Sequence, residues 1–242
     1  MTSSSRHYQP EGDHHRMSTL VSCVIPVYNG ERYLGEAIDS VLAQRHRPIE
    51  IIVADDGSDN GSAAVARSYG DPVRYLCQTT AGPAATRNLG VAAARGDVVA
   101  LLDADDLWHA DKLARQLAYL EEHPEVDLCL TLARLFWIDE LKAEEEAYRA
   151  QAPLDIPGLP GSSLLARRRV FEAIGLFDSQ LWHRDVTDWL VRATERGAVM
   201  HTLPAVLSYR RMHRSNISRR ARATGQREFL RVLKGSLDRR RG

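Results

Sequence analysis

The chain has 242 residues, enough for one α/β domain with a sizeable core. Its 32 Lys and Arg balance 32 Asp and Glu, so no global charge draws it to nucleic acid. No stretch approaches the ~20 apolar residues of a spanning helix, and three cysteines without CxxC or metal spacing give neither a disulfide framework nor a zinc site.

Residues 1–17 are polar, carry His7, His14 and His15, and lack the apolar run of a signal peptide, so they read as a disordered leader. The run at 21–27, ending in Pro26, Tyr28, Asn29 and Gly30, predicts a strand and a turn. Leu34, Ile38, Val41 and Leu42 recur at helical spacing through 31–44. A strand at 50–54, a helix near 62–69 and a strand at 73–77 follow. Gly82-Pro83 opens a helix over 84–94. A strand at 98–102 and a helix over 110–122, stopped near Pro124, come next. Residues 126–132 predict a strand, 138–150 an exposed helix or mobile loop, and 153–161 a Pro/Gly loop containing Pro160. Helices are expected over 169–174 and 185–196, and short strands over 199–203 and 206–209. Cys23, Cys77 and Cys129 lie in apolar, strand-like contexts and read as small buried hydrophobes in a reducing cytosol.

This βαβ alternation predicts an α/β fold with a doubly wound, mostly parallel sheet and a ligand crevice at the strands' carboxyl ends. One domain is expected over 18–211 and a basic tail over 212–242, whose acids are Glu228 and Asp238. That tail reads first as a solvated, partly helical end.

Two strands deliver carboxylates to the same edge. Val98-Val99-Ala100-Leu101-Leu102 leads into Asp103, Asp105 and Asp106, and Glu50-Ile51-Ile52-Val53-Ala54 into Asp55-Asp56-Gly57-Ser58. Acids so crowded repel one another unless a cation or hydrogen-bond donor compensates. Oxygen ligands of this kind suit Mg²⁺ or Mn²⁺ bridging to phosphates. Either cluster alone is equally a helix cap with extra surface charge; the pair favours a cation site.

The motifs VIPVYNG (24–30), DDGS (55–58), GPAATRNLG (82–90), LLDADD (101–106), GLFD (175–178) and YRRMH (209–213) occur in order. With them the chain resembles the family 2 glycosyltransferases of GT-A fold. The resemblance implies a nucleotide-sugar donor, with a UDP-sugar expected, a divalent metal and inversion at the anomeric carbon. It implies that Asp56 holds the base edge, Pro26 and Tyr28 line the nucleotide pocket, and Arg87 sits near the base or diphosphate. Asp103 and Asp105 match the DxD pair, Asp105 as metal ligand and Asp103 near the ribose or metal. His213 matches the histidine that approaches the diphosphate or metal. The acceptor (a glycan, lipid-linked intermediate, small molecule or protein) is not read from these motifs, and its pocket is expected between about 132 and 163. A cytoplasmic protein is expected, with peripheral contact at the inner membrane face through the basic tail.

The general base is less well specified. Aligning Arg192 and Gly197 with the family pattern puts Asp185 at its Glu and Val186 at its usual base. A one-residue shift makes Asp185 the base, Asp188 lies one turn on, and no base at all is the third case. Asp185 is also a natural helix cap and Asp188 a first-turn acid. A helix N-terminus is expected to lower the Asp185 pKa and keep it ionised. Trp182 and Trp189 are candidates to stack on an acceptor sugar, with core packing expected for at least one. Val186 motivates the alternative of a catalytically impaired nucleotide-sugar-binding module. A dinucleotide oxidoreductase is disfavoured because no GxGxxG follows the first strand. A nucleotidyltransferase would want a basic phosphate loop there.

Overall fold

The computed structural model describes residues 19–158, 161–216 and 222–241; the leader expected over 1–17 and Pro160 of the predicted loop lie outside them. Four parallel strands open the chain: β1 (Val21–Val27), β2 (Ile49–Asp55), β3 (Val73–Cys77) and β4 (Val98–Leu101). Between them run α1 (Glu31–Leu42), α2 (Ser62–Ser68) and α3 (Pro83–Ala93). Their spatial order is β3-β2-β1-β4, so the winding reverses at β1 and leaves a crevice between the ends of β1 and β4.

β1 reads as a near-continuous apolar run because both faces are covered. Cys23 and Ile25 join the core beneath α1, whereas Val24 points to the opposite cluster with Ile52 and Leu101. Gly90 lets α3 lie on this second face: a Cβ there would sit 2.3 Å from Val24 Cγ1.

The second half of the sheet is mixed. After β5 (Leu107–Trp108) and α4 (Lys112–Glu122) come β6 (Leu128–Trp137), a 3₁₀ turn (Asp139–Leu141), α5 (Lys142–Arg149), β7 (Asp155–Ile156) and β8 (Leu165–Arg167). The chain then adds α6 (Arg168–Ile174), α7 (Asp185–Glu195), β9 (Met200–Met212) and α8 (Arg222–Arg241). The full order is β3-β2-β1-β4-β8-β6-β9-β5, with β7 paired to β6. β8 runs antiparallel to β4 and β6, and β9 parallel to β6.

Several expected elements change here. The two short strands at 199–203 and 206–209 are one strand, β9. Pro204 cannot donate to a ladder, and the chain absorbs it by register shifts: Thr131 pairs with Leu203 but Leu132 with Val206. β6 extends beyond 132 because Ala133, Leu135 and Trp137 alternate inward against exposed Arg134, which meets Asp155 at 2.6 Å. β5, β7 and β8 are too short to leave a periodic signal. Cys77 is exposed at the end of edge strand β3, whereas Cys23 and Cys129 are buried. Among the described residues no helix is long and apolar enough to cross a membrane.

Lys112 is fully buried under the sheet. Its Nζ donates to Gln116 Oε1 at 2.8 Å and sits 4.1 Å from the Trp108 ring centroid, and among the described residues it forms no ion pair with a carboxylate. Burial lowers its pKa to about 7. Between about pH 7 and the unfolded lysine value, the unfolded chain binds the extra proton, so this group makes the native state more stable as pH rises. Lys112→Met should abolish that contribution. The stability of the variant minus that of wild type, from urea titrations, should fall as pH rises from 7 to 10, by up to about 1.4 kcal/mol per pH unit. A difference independent of pH would show that the ammonium is not the source.

Candidate active site

The crevice at the ends of β1 and β4 gathers the acids. Leu102 N–H donates to Val24 O at 3.0 Å, so the chain leaves the sheet only at Asp103. Arg87, on the second turn of α3, forks between two carboxylates: Nη2 donates to Asp103 Oδ1 and Nη1 to Asp185 Oδ2, both at 2.8 Å. Burial works against the guanidinium charge, but Asp185 and Asp103 outweigh it and the pKa stays above the ordinary value. Arg87 Nε is buried without a hydrogen-bond partner.

Asp105 Oδ2 meets His213 Nε2 at 2.8 Å and accepts from the Asn216 amide at 3.1 Å. His213 Nδ1 lies 2.7 Å from Ser215 Oγ, and the ring stacks at a tilt on Tyr33, 4.9 Å between centroids. Asp106 turns inward. It accepts from Ser162 Oγ at 2.6 Å and from Arg211 N–H at 3.1 Å. Burial raises its pKa well above the carboxylate range, and the charges of Asp105 and Asp103 push it further. Asp106 is therefore a structural member of the cluster, while Asp103 and Asp105 face the crevice.

Asp55 and Asp56 separate likewise. Asp55 accepts from Ser58 N–H and Tyr75 Oη, both at 2.8 Å. Asp56 accepts from the Gln78 amide at 2.7 Å and from the N–H groups of Ala81 and Gly82 at 2.9 Å. Three of a carboxylate's roughly four acceptor positions are thus occupied, leaving one for a ligand. Gly82 has φ +94°, a region that favours glycine, and begins α3. Pro26 is half-buried near the end of β1, paired with Ala54 of β2, and Tyr28, just beyond that strand, is 57% exposed.

The two acids of α7 have different surroundings. Asp188 accepts from its i+4 neighbour Arg192 at 2.7 Å, and Arg192 also donates to Leu176 O at 2.8 Å, so this pair fastens α7 to the preceding loop. Asp185 is only 4% exposed and faces Arg87. The expectation of a lowered Asp185 pKa does not hold. Burial raises it above the ordinary carboxylate value, against the pull of Arg87 and the Val186 N–H; Asp103 adds a smaller upward push. The helix terminus is outweighed by desolvation.

Trp189 is fully buried and stacks on Phe171 at 4.3 Å, leaving Trp182, 51% exposed, as the aromatic at the cleft. Val186 belongs to the same core as Trp189. Asn88 and Phe177 exchange hydrogen bonds at 2.9 and 3.0 Å, a structural tie between α3 and the 175–178 turn. Sequence reasoning did not single out Ser162, Arg211 or Asn216. Asn216 carries the one available signal, an amide three residues beyond His213 that also takes the His213 N–H at 2.7 Å. A cavity of about 410 Å³ opens behind the cluster between α1 and the end of β6. Its guanidinium groups are already engaged, Arg32 with Glu140 and Arg211 with Glu36, each at 2.8 Å, which makes it a poor seat for a diphosphate.

Residues 22–175 match the family model described as glycosyl transferase family 2. An uncharacterized glycosyltransferase of Rickettsia typhi is 34% identical over 175 residues, covering 68% of this chain and 55% of its own length. Another from Nostoc sp. is 31% identical over 211 residues, 81% of this chain and 66% of that protein. The chain thus spans little more than half the length of the Rickettsia relative. Among solved structures, Staphylococcus aureus TarS 1–349 in complex with UDP-GlcNAc superposes with a TM-score of 0.67 at 18% identity, over 81% of this chain and 59% of that one. The mannosyltransferase PcManGT from Pyrobaculum calidifontis, in complex with GDP-Man and Mn²⁺, gives 0.62 at 22% identity, over 81% and 58%. These two likenesses establish the fold: a mixed α/β, GT-A-like architecture with a curled, mostly parallel sheet.

Proposed function

The chain belongs to glycosyl transferase family 2, and from that premise we propose that it transfers a sugar from a nucleotide-sugar donor to an acceptor hydroxyl. The observation that carries this reading is the Arg87 fork, which joins Asp103 of the strand edge to Asp185 of α7 at one crevice. The donor is a nucleoside diphosphate sugar, with UDP first among the nucleotides. Neighbours of the same fold bind UDP-GlcNAc and GDP-Man. Pro26, Tyr28 and Asp56 form the nucleotide end, Arg87 and His213 face the diphosphate, and Asp103 lies near the ribose or, with Asp105, at the metal.

A divalent ion fits the donor set on this edge. Asp105 offers a hard carboxylate oxygen and His213 an imidazole nitrogen directly opposite it. Among the described residues no cluster of three or more metal-capable side chains stands ready. Phosphate oxygens and water would complete the shell, as is usual for Mg²⁺ and workable for Mn²⁺. When bound, such an ion supplies Lewis acidity that offsets charge on the departing diphosphate.

Asp185 is the base. It takes the proton of the acceptor hydroxyl while the acceptor oxygen bonds to the anomeric carbon. The bond from that carbon to the diphosphate oxygen breaks, and its electron pair leaves with the nucleotide. Attack opposite to the leaving group inverts the centre and needs no enzyme nucleophile. The engagement of Asp188 by Arg192 supports Asp185 over it for this task. A donor-binding module without transfer is the second reading, supported by Val186 at the family's usual base position.

The basic segment 212–242 suits a peripheral contact with an anionic lipid surface, and the cytoplasmic face of the inner membrane is the location this reading proposes. α8 exposes Leu230, Leu233 and Leu237 at helical spacing among Arg227, Arg231 and Lys234. A basic helix with an apolar stripe matches that surface chemically.

Thermal-shift titration with UDP-, GDP- and dTDP-sugars, with and without Mn²⁺, tests the donor assignment. A ligand at 100 times its Kd should stabilise by about 2.7 kcal/mol, and Asp105→Ala should lose the Mn²⁺-dependent part while remaining folded. Unchanged metal dependence in that variant would remove Asp105 from the site.

Asp185→Asn should lower kcat by about 10² to 10⁴ with donor affinity near wild type. The wild-type profile should lose activity on acidification at a pH above the ordinary carboxylate range, because burial raises the pKa and the base must be ionised. Asp188→Asn should lower stability more than turnover. If Asp188→Asn is instead the inactive variant, the roles exchange. If both transfer sugar normally, neither is the base.

For the lipid contact, the double variant Leu233→Glu/Leu237→Glu should lose co-sedimentation with phosphatidylglycerol vesicles at low salt. Equal sedimentation of variant and wild type would end the proposal.

A further inference from the structure

The loop before α7 is held by a residue far along the chain. Helix α7 begins at Arg184 without a side-chain cap of its own. Glu228 of α8 reaches the loop instead. One carboxylate oxygen accepts the Trp182 N–H at 3.1 Å, and the other accepts those of His183 and Arg184 at 2.8 and 3.2 Å. Three successive backbone donors turned toward one point form an anion-binding concavity. Here a carboxylate of the same chain fills it.

The surrounding contacts hold α8 in place. Arg184 Nε donates to Gly225 O at 3.4 Å, a second contact between the loop and α8. Arg184 lies over Phe229 at 5.6 Å. Val232 is buried, and at the far end of α7 Glu195 accepts from Ser236 and from Arg239, the latter at 2.7 Å. The two helices therefore run side by side in the same direction, with Glu228 at the site end.

What the clamp holds bears on the cleft. Trp182 packs on Gly82, where a Cβ would come within 3.2 Å of the indole. Gly82 donates its N–H to Asp56. Asp185 follows the clamped segment directly. We propose that Glu228 is a positioning residue for the acceptor side of the cleft, fixing Trp182 over the 81–82 turn and the start of α7 beneath Asp185. The catalytic part of this statement rests on the reading of Asp185 as base; the clamp itself does not. Glu228 lies outside the segment 22–175 that matches the family model.

The test uses the full chain with Glu228→Ala and Glu228→Gln, and Trp182→Phe for assignment. The chain has four tryptophans, and Trp108, Trp137 and Trp189 are all less than 10% exposed, so acrylamide-quenchable emission reports Trp182. Releasing the loop should raise the quenching constant of Glu228→Ala, by up to about twofold from a ring already half exposed. Glu228→Gln should fall between, because the amide keeps one acceptor oxygen. With the nucleotide sugar found in the donor panel and water as the acceptor, kcat for hydrolysis should drop by about 10² in Glu228→Ala, the scale of an ångström-sized misplacement. Binding of UDP with Mn²⁺ should stay within about threefold, since the clamp lies away from Asp105. Wild-type quenching and wild-type kcat in Glu228→Ala would overturn the proposal. If that variant fails to fold, the same two values in Glu228→Gln and Glu228→Asp overturn it, and graded loosening in them supports it. If wild type binds no nucleoside diphosphate, the donor reading fails, while the quenching series still decides the clamp.

Discussion

Crowded negative charge at the carboxyl edge of β4 is the constraint around which this structure is arranged. Two like charges 4 Å apart repel by about 4 kcal/mol at the effective dielectric of a protein surface. Asp103, Asp105 and Asp106 are therefore each compensated differently. Asp103 takes the Arg87 guanidinium, Asp105 takes His213 and Asn216, and Asp106 is sunk onto Ser162 and the Arg211 N–H. Arg87 must serve a second carboxylate, Asp185, and this couples the sheet edge to α7.

The topology follows from the same requirement. The parallel half of the sheet supplies β4 and the helix bearing Arg87. It cannot supply His213 or Ser162, which come from the far end of β9 and the approach to β8. Inserting β8 antiparallel beside β4 places Ser162 behind the acids, and pairing β9 with β6 returns the chain to them. The bulges around Pro204 let a strand of this length follow the sheet's twist to that point. Glu228 extends the principle to the backbone: the loop before α7 has N–H groups to satisfy, and a second helix provides the acceptor.

Much of the parallel half was legible in the sequence. β1, β2, β3 and β4, and the helices between them, leave local signals: apolar runs, helical spacing and the Gly82-Pro83 start. The acids at two strand ends mark the crevice in the sequence itself. The mixed half was harder. β5, β7 and β8 have two or three residues each and exist because a distant partner is present. Asp185 could be nominated as the base from its place before a helix, but its preference over Asp188 rests on which acid meets Arg87 and which meets Arg192.

The sequence by itself determined the family, the α/β class and the identity of the crevice acids, since these depend on local periodicity and short motifs in order. Only the tertiary structure decided how each charged group is employed. Asp106 and Asp188 both read as site acids in the chain; in the fold Asp106 accepts from Ser162 and the Arg211 N–H and Asp188 pairs with Arg192, while Glu228, one acid in a basic tail, accepts three N–H groups of the loop before α7. The physical reason is that protonation, burial and hydrogen-bond partnership are properties of an environment assembled from remote segments. The upward shift of the Asp185 pKa shows it plainly: the helix terminus is visible in sequence and argues for a low value, whereas the desolvation that outweighs it exists only once the elements pack.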